Sequence, residues 1–399
     1  MLDAILSLAL LILFAKGTGK ISEMLEQPIV LGQIVGGIVV GPTLLGLVES
    51  SPPIHQIASV GGILLMFLAG LDTDTRLLKQ VLTNALIVAT LGVAVPFVSG
   101  YALGLWLGYT NTVSLFLGTI LVATSVSITV QVLKERDQLK TVEGTTILGA
   151  AVFDDILGFL VLSVVLAITT TSSKTASFVF ADVLLFKVPL LLVLLWLGSR
   201  LARPLFDRLE WLWGRTFVIS GLLVFAFAYA WIAHFFGLAS IVGAYLVGVM
   251  LKISMPDRFS GNNQNVKTLE RFGNALFIPV FFAVMGLTAN FLEMTPRLLG
   301  MTAFISLIAI LSKIVGCGAG ALISGMNRIT SIRIGCGMVA RGEVGLIIAM
   351  TAFQMQLIGQ DLYSSALLVV IATTLITPFL LSVAFSYSAG KSATDLTKT

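Results

Sequence analysis

The sequence predicts an all-α polytopic membrane protein with thirteen transmembrane helices. Of its 399 residues, 57% are hydrophobic and only 11% are charged, and its mean hydropathy is +1.02. Soluble globular domains carry about 25% charged residues, so this composition excludes that class. Apolar runs long enough to cross the ~30 Å hydrocarbon layer of a bilayer also recur along the whole chain. The lipid bilayer is therefore the first predicted partner.

The first apolar run resembles a secretory signal in length, but its flanks indicate a retained helix. Asp3 replaces the expected basic start, Lys16 and Lys20 follow the run, and no small-residue cleavage site is evident. The thirteen predicted spans cover residues 2–15, 28–47, 55–71, 81–108, 114–133, 142–169, 181–199, 213–236, 239–252, 270–290, 297–324, 331–355 and 362–387.

The basic residues between these spans predict the orientation. With the N-terminus outside, nineteen of the 24 Lys and Arg residues fall in cytoplasmic loops or in the cytoplasmic tail. Cytoplasmic loops are enriched in basic residues, so the asymmetry favours an outside N-terminus and a cytoplasmic C-terminus. The same distribution explains the net charge of +4 without a nucleic-acid partner. Residues 388–399 are small and polar and are expected to form a disordered cytoplasmic tail.

Two pairs of segments indicate an internal repeat. Residues 33–41 resemble residues 240–248, and residues 67–74 resemble residues 283–290, in the same order along the chain. Six spans precede the seventh and six follow it, so the second copy would enter from the opposite side of the membrane. Inverted-topology repeats build alternating-access transporters. The alternative is that glycine-rich apolar segments resemble one another by composition alone.

Two adjacent carboxylates lie in the middle of the sixth predicted span. Asp154 and Asp155 interrupt the apolar run of residues 149–163. A carboxylate at bilayer depth costs at least ~2.5–3.5 kcal/mol, so the pair requires water, a cation, a proton or a partner charge. Neighbouring positions on a helix point ~100° apart, so one carboxylate can face a cavity while the other faces another helix. The pair predicts ion handling.

Three further ionisable residues lie deep in predicted spans, namely Lys313, Arg341 and Glu343. Opposite charges at this depth tend to pair, because isolation costs far more than pairing. With three carboxylates and two cations the set has one negative charge in excess. We interpret the surplus carboxylate as the cation site.

Two stretches stand out within the apolar spans, and the second predicts an interrupted helix. Residues 123–130 carry Thr124 and Ser125 among four hydroxyl residues, and residues 338–345 carry two glycines and two charges where a continuous helix favours neither. A helix broken at the second stretch exposes backbone groups that coordinate ions or are capped by charged side chains. For the first stretch, hydroxyls that bond only within their own helix remain an equal alternative.

These motifs together resemble the monovalent cation:proton antiporter-2 family, especially its bacterial NapA-like and GerN-like sodium/proton antiporters. The resemblance rests on Asp154 and Asp155 after Glu143-Gly144, on Lys313 in a late helix and on residues 340–346. It implies the NhaA/NapA-like antiporter fold, with two inverted repeats, broken crossing helices and a homodimer in the bacterial cytoplasmic membrane.

The resemblance also implies a domain organisation. A six-helix ion-transporting core would be joined by a linker helix to a dimerisation bundle. The expected bounds are 1–80 for the first part of the bundle, 81–169 for the first half of the core, 170–212 for the linker helix, 213–290 for the second part of the bundle and 291–387 for the second half of the core.

The family's functional residues map onto this sequence by motif position. Asp155 would be the principal cation and proton carboxylate, with Asp154 as its companion and Lys313 as the charge partner of Asp154. Thr124 and Ser125 would line the site. Two further residues would stabilise the broken helices, namely Arg341 and Glu343.

The predicted function is exchange of Na⁺ for H⁺, with Li⁺ and K⁺ as alternative cations and no cofactor. A K⁺/H⁺ antiporter is the nearest rival, and a sodium-coupled organic anion symporter is a more distant one. A passive channel would lack the counter-flow that a binding site enforces. An intramembrane aspartyl protease needs aspartates from two helices facing one water, whereas these are consecutive. The chain is therefore predicted not to be an enzyme.

Overall fold

The computed structural model describes residues 2–169, 188–213, 215–236, 238–256, 264–288 and 296–386. Within these ranges all regular secondary structure is helical. Nine helical segments there are long and apolar enough to cross a membrane, and three shorter apolar helices accompany them. The all-helical membrane class is thereby confirmed. The predicted tail, residues 388–399, lies outside the described residues, as does the first part of the predicted linker.

Sixteen α-helices, numbered in chain order, make up the described structure. They are α1 Leu2–Met24, α2 Ile29–Val40, α3 Pro52–Asp72, α4 Thr75–Trp106, α5 Asn111–Val122, α6 Val126–Glu135, α7 Val142–Thr169, α8 Val188–Trp213, α9 Arg215–Phe235, α10 Ser240–Ser254, α11 Gln264–Phe272, α12 Ile278–Leu287, α13 Pro296–Ile323, α14 Arg328–Gly337, α15 Glu343–Gln354 and α16 Gln360–Ser386, with a π-helical turn, Gly273–Phe277, between α11 and α12.

Polar residues fix where several helices begin. The Asp74 carboxylate accepts hydrogen bonds from the first backbone amides of α4, and the Asn327 side chain accepts one from the first turn of α14. Such caps satisfy amides that have no partner within the helix. The first predicted span was too short, because α1 continues past Lys16 to Met24. A basic residue ends an apolar run but does not end a helix.

The helices pack as two groups. The first group comprises α4–α7 and α13–α16, and the second comprises α1–α3 and α8–α12. Each group has an apolar interior of its own, built around Phe116 in the first and around Phe206 in the second. A third cluster joins the groups where α2 and α3 meet α6 and α7. The five ionisable residues that the sequence places deep in spans all belong to the first group.

Glycines allow the closest helix contact within the second group. A Cβ atom on Gly37 of α2 would collide with the carbonyl oxygen of Ala283 in α12, and one on Gly286 would collide with the carbonyl oxygen of Ile34. The backbones of α2 and α12 therefore touch directly. Small residues at such contacts let membrane helices approach closely, where dispersion attraction stabilises the pair.

A single methyl group at this contact is expected to destabilise the protein. Gly37→Ala forces the two backbones apart, an overpacking that costs about 1–3 kcal/mol, and should lower the unfolding temperature of the purified protein in detergent. Gly17→Ala is the matched control, because a Cβ there meets nothing within 4 Å and alanine favours a helix. Equal unfolding temperatures for the two variants would contradict the contact.

Candidate ion-binding site

Two helix interruptions meet in the interior of the first group. The chain leaves helical geometry between Val122 and Val126, and again between Gly337 and Glu343. The amide of Ser125 donates a hydrogen bond of 2.8 Å to the carbonyl oxygen of Ala340. Each interruption thus satisfies part of the backbone that the other exposes.

Gly342 permits the close approach of the two interruptions. Its backbone is extended, and a Cβ atom there would lie 2.5 Å from Cβ of Ser125 and 2.6 Å from its Oγ. On the other side, the Thr129 hydroxyl donates a 2.6 Å hydrogen bond to the carbonyl oxygen of Gly337. A larger residue at 342 would have to displace Ser125.

Arg341 ties the interruptions to neighbouring helices. Its guanidinium is only 1% exposed and donates to the carbonyl oxygens of Ala123, at 3.1 Å, and Ala309, at 3.0 Å. The Thr374 hydroxyl of α16 donates to the carbonyl oxygen of Arg341 at 2.8 Å. The buried cation thereby binds one carbonyl exposed by an interruption, that of Ala123, and one carbonyl of the neighbouring helix α13. The Glu343 side chain lies outside the described part of the structure.

Lys313 of α13 is fully buried and makes three short polar contacts. Its Nζ donates to the carbonyl oxygen of Gly92 at 2.8 Å, to that of Val122 at 3.0 Å and to Oδ1 of Asp154 at 2.7 Å. An ammonium group has three donors, so each one is used. Lys313 and Asp154 are 0% and 1% exposed, which makes theirs a dry ion pair that joins α13 to α7.

Asp155 has a different environment from its neighbour. It is partly exposed and lines a small cavity of about 40 Å³ with Val344 of α15 and with Leu238 and Ala239 from the second group. The two carboxylates therefore point in different directions, as their ~100° separation on a helix requires. Asp154 faces the interior of the first group, whereas Asp155 faces the boundary between the groups.

A larger cavity adjoins Asp155. It has a volume of about 570 Å³ and shares Leu238, Ala239 and Val344 with the small cavity. Its lining also includes His55 at the beginning of α3 and His234 at the end of α9, both exposed. The cavity thus runs between the two helix groups, from one face of the protein to the helix interruptions beside Asp155.

Several oxygen atoms near the interruptions have no hydrogen-bond partner among the described residues. They include Oγ of Ser125, Oγ of Ser127 and Oδ2 of Asp154. Buried polar atoms normally have partners, so an unsatisfied group calls for a functional or structural reason. Hard cations prefer oxygen ligands, and these atoms are of that kind. Thr124 is also buried in the interruption, although its hydroxyl makes a long contact of 3.4 Å to the carbonyl oxygen of Val122.

The electrostatics assign different tasks to the two aspartates. Asp154 is paired with Lys313 and is also close enough to Arg341 for their charges to interact. Two buried cations beside one buried carboxylate offset the cost of burying its charge. Asp154 thus joins helices in the interior, whereas Asp155 lines the small cavity at the boundary between the groups.

The structure adds partners that the sequence did not indicate. The carbonyl oxygens of Gly92 and Val122 bind Lys313, and Thr374 holds the carbonyl oxygen of Arg341. Every residue has a backbone carbonyl, so the residue type does not reveal which carbonyls accept these hydrogen bonds. A threonine in a long apolar helix usually forms its hydrogen bond within that helix, so the sequence did not indicate the role of Thr374. The interruption after Val122 was the available signal, because a helix that ends inside a membrane must offer its carbonyls to something.

Comparison with known proteins decides the family. The model of the transmembrane sodium/hydrogen exchanger family matches residues 7–386. The chain belongs to this family. The resemblance predicted from the motifs is confirmed.

Relatives within the family match the chain over nearly their whole length. The chain is 38% identical over 378 residues to the Na⁺/H⁺-K⁺ antiporter GerN of Bacillus cereus, covering 95% of each chain. It is 36% identical over 375 residues to a Na⁺/H⁺ antiporter of Enterococcus hirae, with 93% of this chain and 95% of the relative covered.

The fold matches a solved structure. The sodium proton antiporter MjNhaP1 of Methanocaldococcus jannaschii superposes with a TM-score of 0.74 at 17% sequence identity, covering 98% of each chain. At that level of identity the match establishes the shared fold.

The Lys313–Asp154 pair is expected to contribute strongly to stability. Lys313→Met leaves a buried carboxylate without its partner, which costs about 3–5 kcal/mol, and should lower the unfolding temperature in detergent well below that of the parent protein. Adding Asp154→Asn should restore part of the loss, since no unpaired charge then remains. Lys20→Met is the control, because the Lys20 side chain is 68% exposed. A double variant as unstable as the sum of its single changes would contradict a direct pair.

Proposed function

We propose that the protein is a secondary active antiporter that exchanges Na⁺ for H⁺ by alternating access. The observation that carries the proposal is the position of Asp155. Its carboxylate lines the cavity system between the two helix groups, while Lys313 holds the adjacent Asp154 in a dry ion pair. Membership of the sodium/hydrogen exchanger family supports this assignment.

Sodium and protons would compete for the same carboxylate. Na⁺ binding requires ionised Asp155, so each bound proton excludes the cation and the affinity for Na⁺ falls as the pH falls. Asp154, Ser125 and Thr124 are the proposed neighbours of the ion, because they bring oxygen atoms to the helix interruptions beside it. Arg341 would hold these interruptions in place, and Glu343 is assigned the same role by its motif position.

Alternating access would use the two helix groups as moving parts. We propose that the first group is the ion-transporting core, that α8 is the linker helix and that the rest of the second group is the dimerisation bundle. We also propose that the chain crosses the membrane thirteen times, that these spans form two inverted repeats, and that two copies of the chain form a homodimer. Its support is the separate packing of the groups and the resemblance between residues 33–41 and 240–248.

The orientation follows from the distribution of basic residues. We propose that the N-terminus lies outside the bacterial cytoplasmic membrane and the C-terminus inside. The beginning of α3 and the end of α9 would then be external, so the cavity lined by His55 and His234 opens outward. The structure would accordingly represent an outward-facing state.

The stoichiometry depends on Asp154. If sodium binding also releases a proton held by the Asp154–Lys313 pair, two protons move per sodium ion and transport is electrogenic. If only Asp155 changes its protonation, one proton moves and transport is electroneutral. We propose a stoichiometry of two protons per sodium ion, because both aspartates lie beside the same helix interruptions.

Replacing Asp155 tests the function. In everted membrane vesicles Asp155→Asn is expected to abolish sodium-driven proton flux, because an amide neither binds a proton nor supplies a negative charge to the cation. Asp361→Asn is the matched control, since Asp361 is exposed in the first turn of α16. If Asp155→Asn retained sodium-driven proton flux at equal protein abundance, Asp155 would not be the carboxylate that binds the cation and the proton.

Potassium is the second candidate ion. The relative that is 38% identical is named for both Na⁺ and K⁺, and oxygen ligands alone do not select between them. Comparing Na⁺, Li⁺ and K⁺ as drivers of proton flux in proteoliposomes at imposed voltages measures both selectivity and stoichiometry. The proposal expects Na⁺ to be the most effective driver and a voltage to change the rate.

A further inference from the structure

Among the described residues, several polar contacts join the two helix groups at the face opposite the cavity. The cavity lies at the beginning of α3, whereas these contacts lie around its end, at Asp72. They involve the last turn of α6 and the connection from α6 to α7 on the core side. On the bundle side they involve the beginning of α2, the end of α3 and helix α11.

The most enclosed contact caps a helix of the bundle. Oε2 of Glu135, at the end of α6, accepts a 2.9 Å hydrogen bond from the backbone amide of Ile29, the first residue of α2, and the amide of Val30 also bonds to this carboxylate. Gln131 donates to its other oxygen at 3.0 Å. The core carboxylate thus occupies the amino end of a bundle helix, where the helix dipole favours negative charge.

The sequence of α2 leaves this position open to a cap from elsewhere. The residue before α2 is Pro28, and its side chain makes no capping hydrogen bond. Ordinarily Ser, Thr, Asp or Asn at this position would satisfy the first amides. Because α2 lacks such a residue, the carboxylate of another helix group supplies the cap.

Two ion pairs flank this cap. Nζ of Lys134 lies 2.6 Å from Oε1 of Glu270 in α11, and Nζ of Lys140 lies 3.1 Å from Oδ1 of Asp72. In both pairs the lysine belongs to the core and the carboxylate to the bundle. The Lys140 and Asp72 side chains are 57% and 40% exposed, so solvent weakens that pair.

We propose that Glu135, Lys134 and Lys140 form a cytoplasmic latch that holds the protein in the outward-facing state. The inference rests on the proposed alternating access. A core that exposes Asp155 to the cytoplasm must open its boundary with the bundle on that side, and these contacts cross that boundary. Glu135 is the principal positioning residue of the latch, because its side chain is more enclosed than that of Lys140 and its carboxylate accepts hydrogen bonds from backbone amides of α2.

Hydrogen exchange of the full-length protein in lipid nanodiscs tests the latch. Glu135→Gln removes the charge with little change in shape, and losing one charged hydrogen bond is expected to raise the open population about tenfold. Exchange of protected amides follows that population. The latch therefore predicts about tenfold faster exchange at residues 26–34, 66–72 and 264–272 together, although only the first segment touches the changed side chain.

Glu23→Gln is the matched control. Glu23 lies at the same face, but its partner Lys20 belongs to the same helix, so exchange should not change. Acceleration confined to residues 26–34 would overturn the latch, because it would show a local helix cap only. Unchanged exchange in all three segments would overturn it as well.

A second variant keeps the test decisive if Glu135→Gln does not fold. Lys134→Gln breaks a different contact of the same latch and should accelerate the same three segments, whereas exchange unaltered in the last two would contradict the proposal. Sodium-driven proton flux of the parent protein is measured separately. If the parent protein shows sodium-driven proton flux but the variants do not accelerate hydrogen exchange in all three segments, only the latch is contradicted. If the parent protein shows no such flux, the proposed function is contradicted whatever the exchange pattern.

Discussion

The buried contact between Lys313 and Asp154 is the constraint on which the rest of the site depends. It places a cation and an anion in the dry interior of the first helix group, where either charge alone would be too costly. Because the ammonium also binds two backbone carbonyls, it fixes α4, α7 and α13 around the end of α5. Asp155 is then directed to the boundary, since neighbouring helical residues cannot face the same way.

The helix interruptions impose a similar constraint on the backbone, because its polar groups also need partners inside the membrane. A continuous helix satisfies its own amides and carbonyls, whereas one that ends inside a membrane must find other partners. Here Ser125 and Ala340 join the two interruptions, and the Arg341 guanidinium takes up carbonyls at Ala123 and Ala309. The result is a rigid polar centre in an apolar group of helices. The proposed alternating access would move this centre as one body against the second group.

Much of this centre could be predicted from sequence because its residues are anomalous where they occur. Charges in apolar runs, as at Asp154 and Lys313, and a glycine beside an arginine in a helix each have few structural explanations. Glu135 was missed because a charged residue near a loop looks the same whether it is solvated or caps another helix. The all-helical membrane fold followed from composition, whereas helix ends depended on caps and tertiary contacts that periodicity does not encode.

Calorimetry of sodium binding to the purified protein, in buffers with different ionisation enthalpies, tests competition at Asp155 most directly. Competition predicts that sodium binding releases protons, that the affinity for sodium weakens as the pH falls, and that Asp155→Asn abolishes the proton release. Sodium binding with the same affinity at every pH and without proton release would contradict it, because cation and proton would then occupy Asp155 together or use different sites.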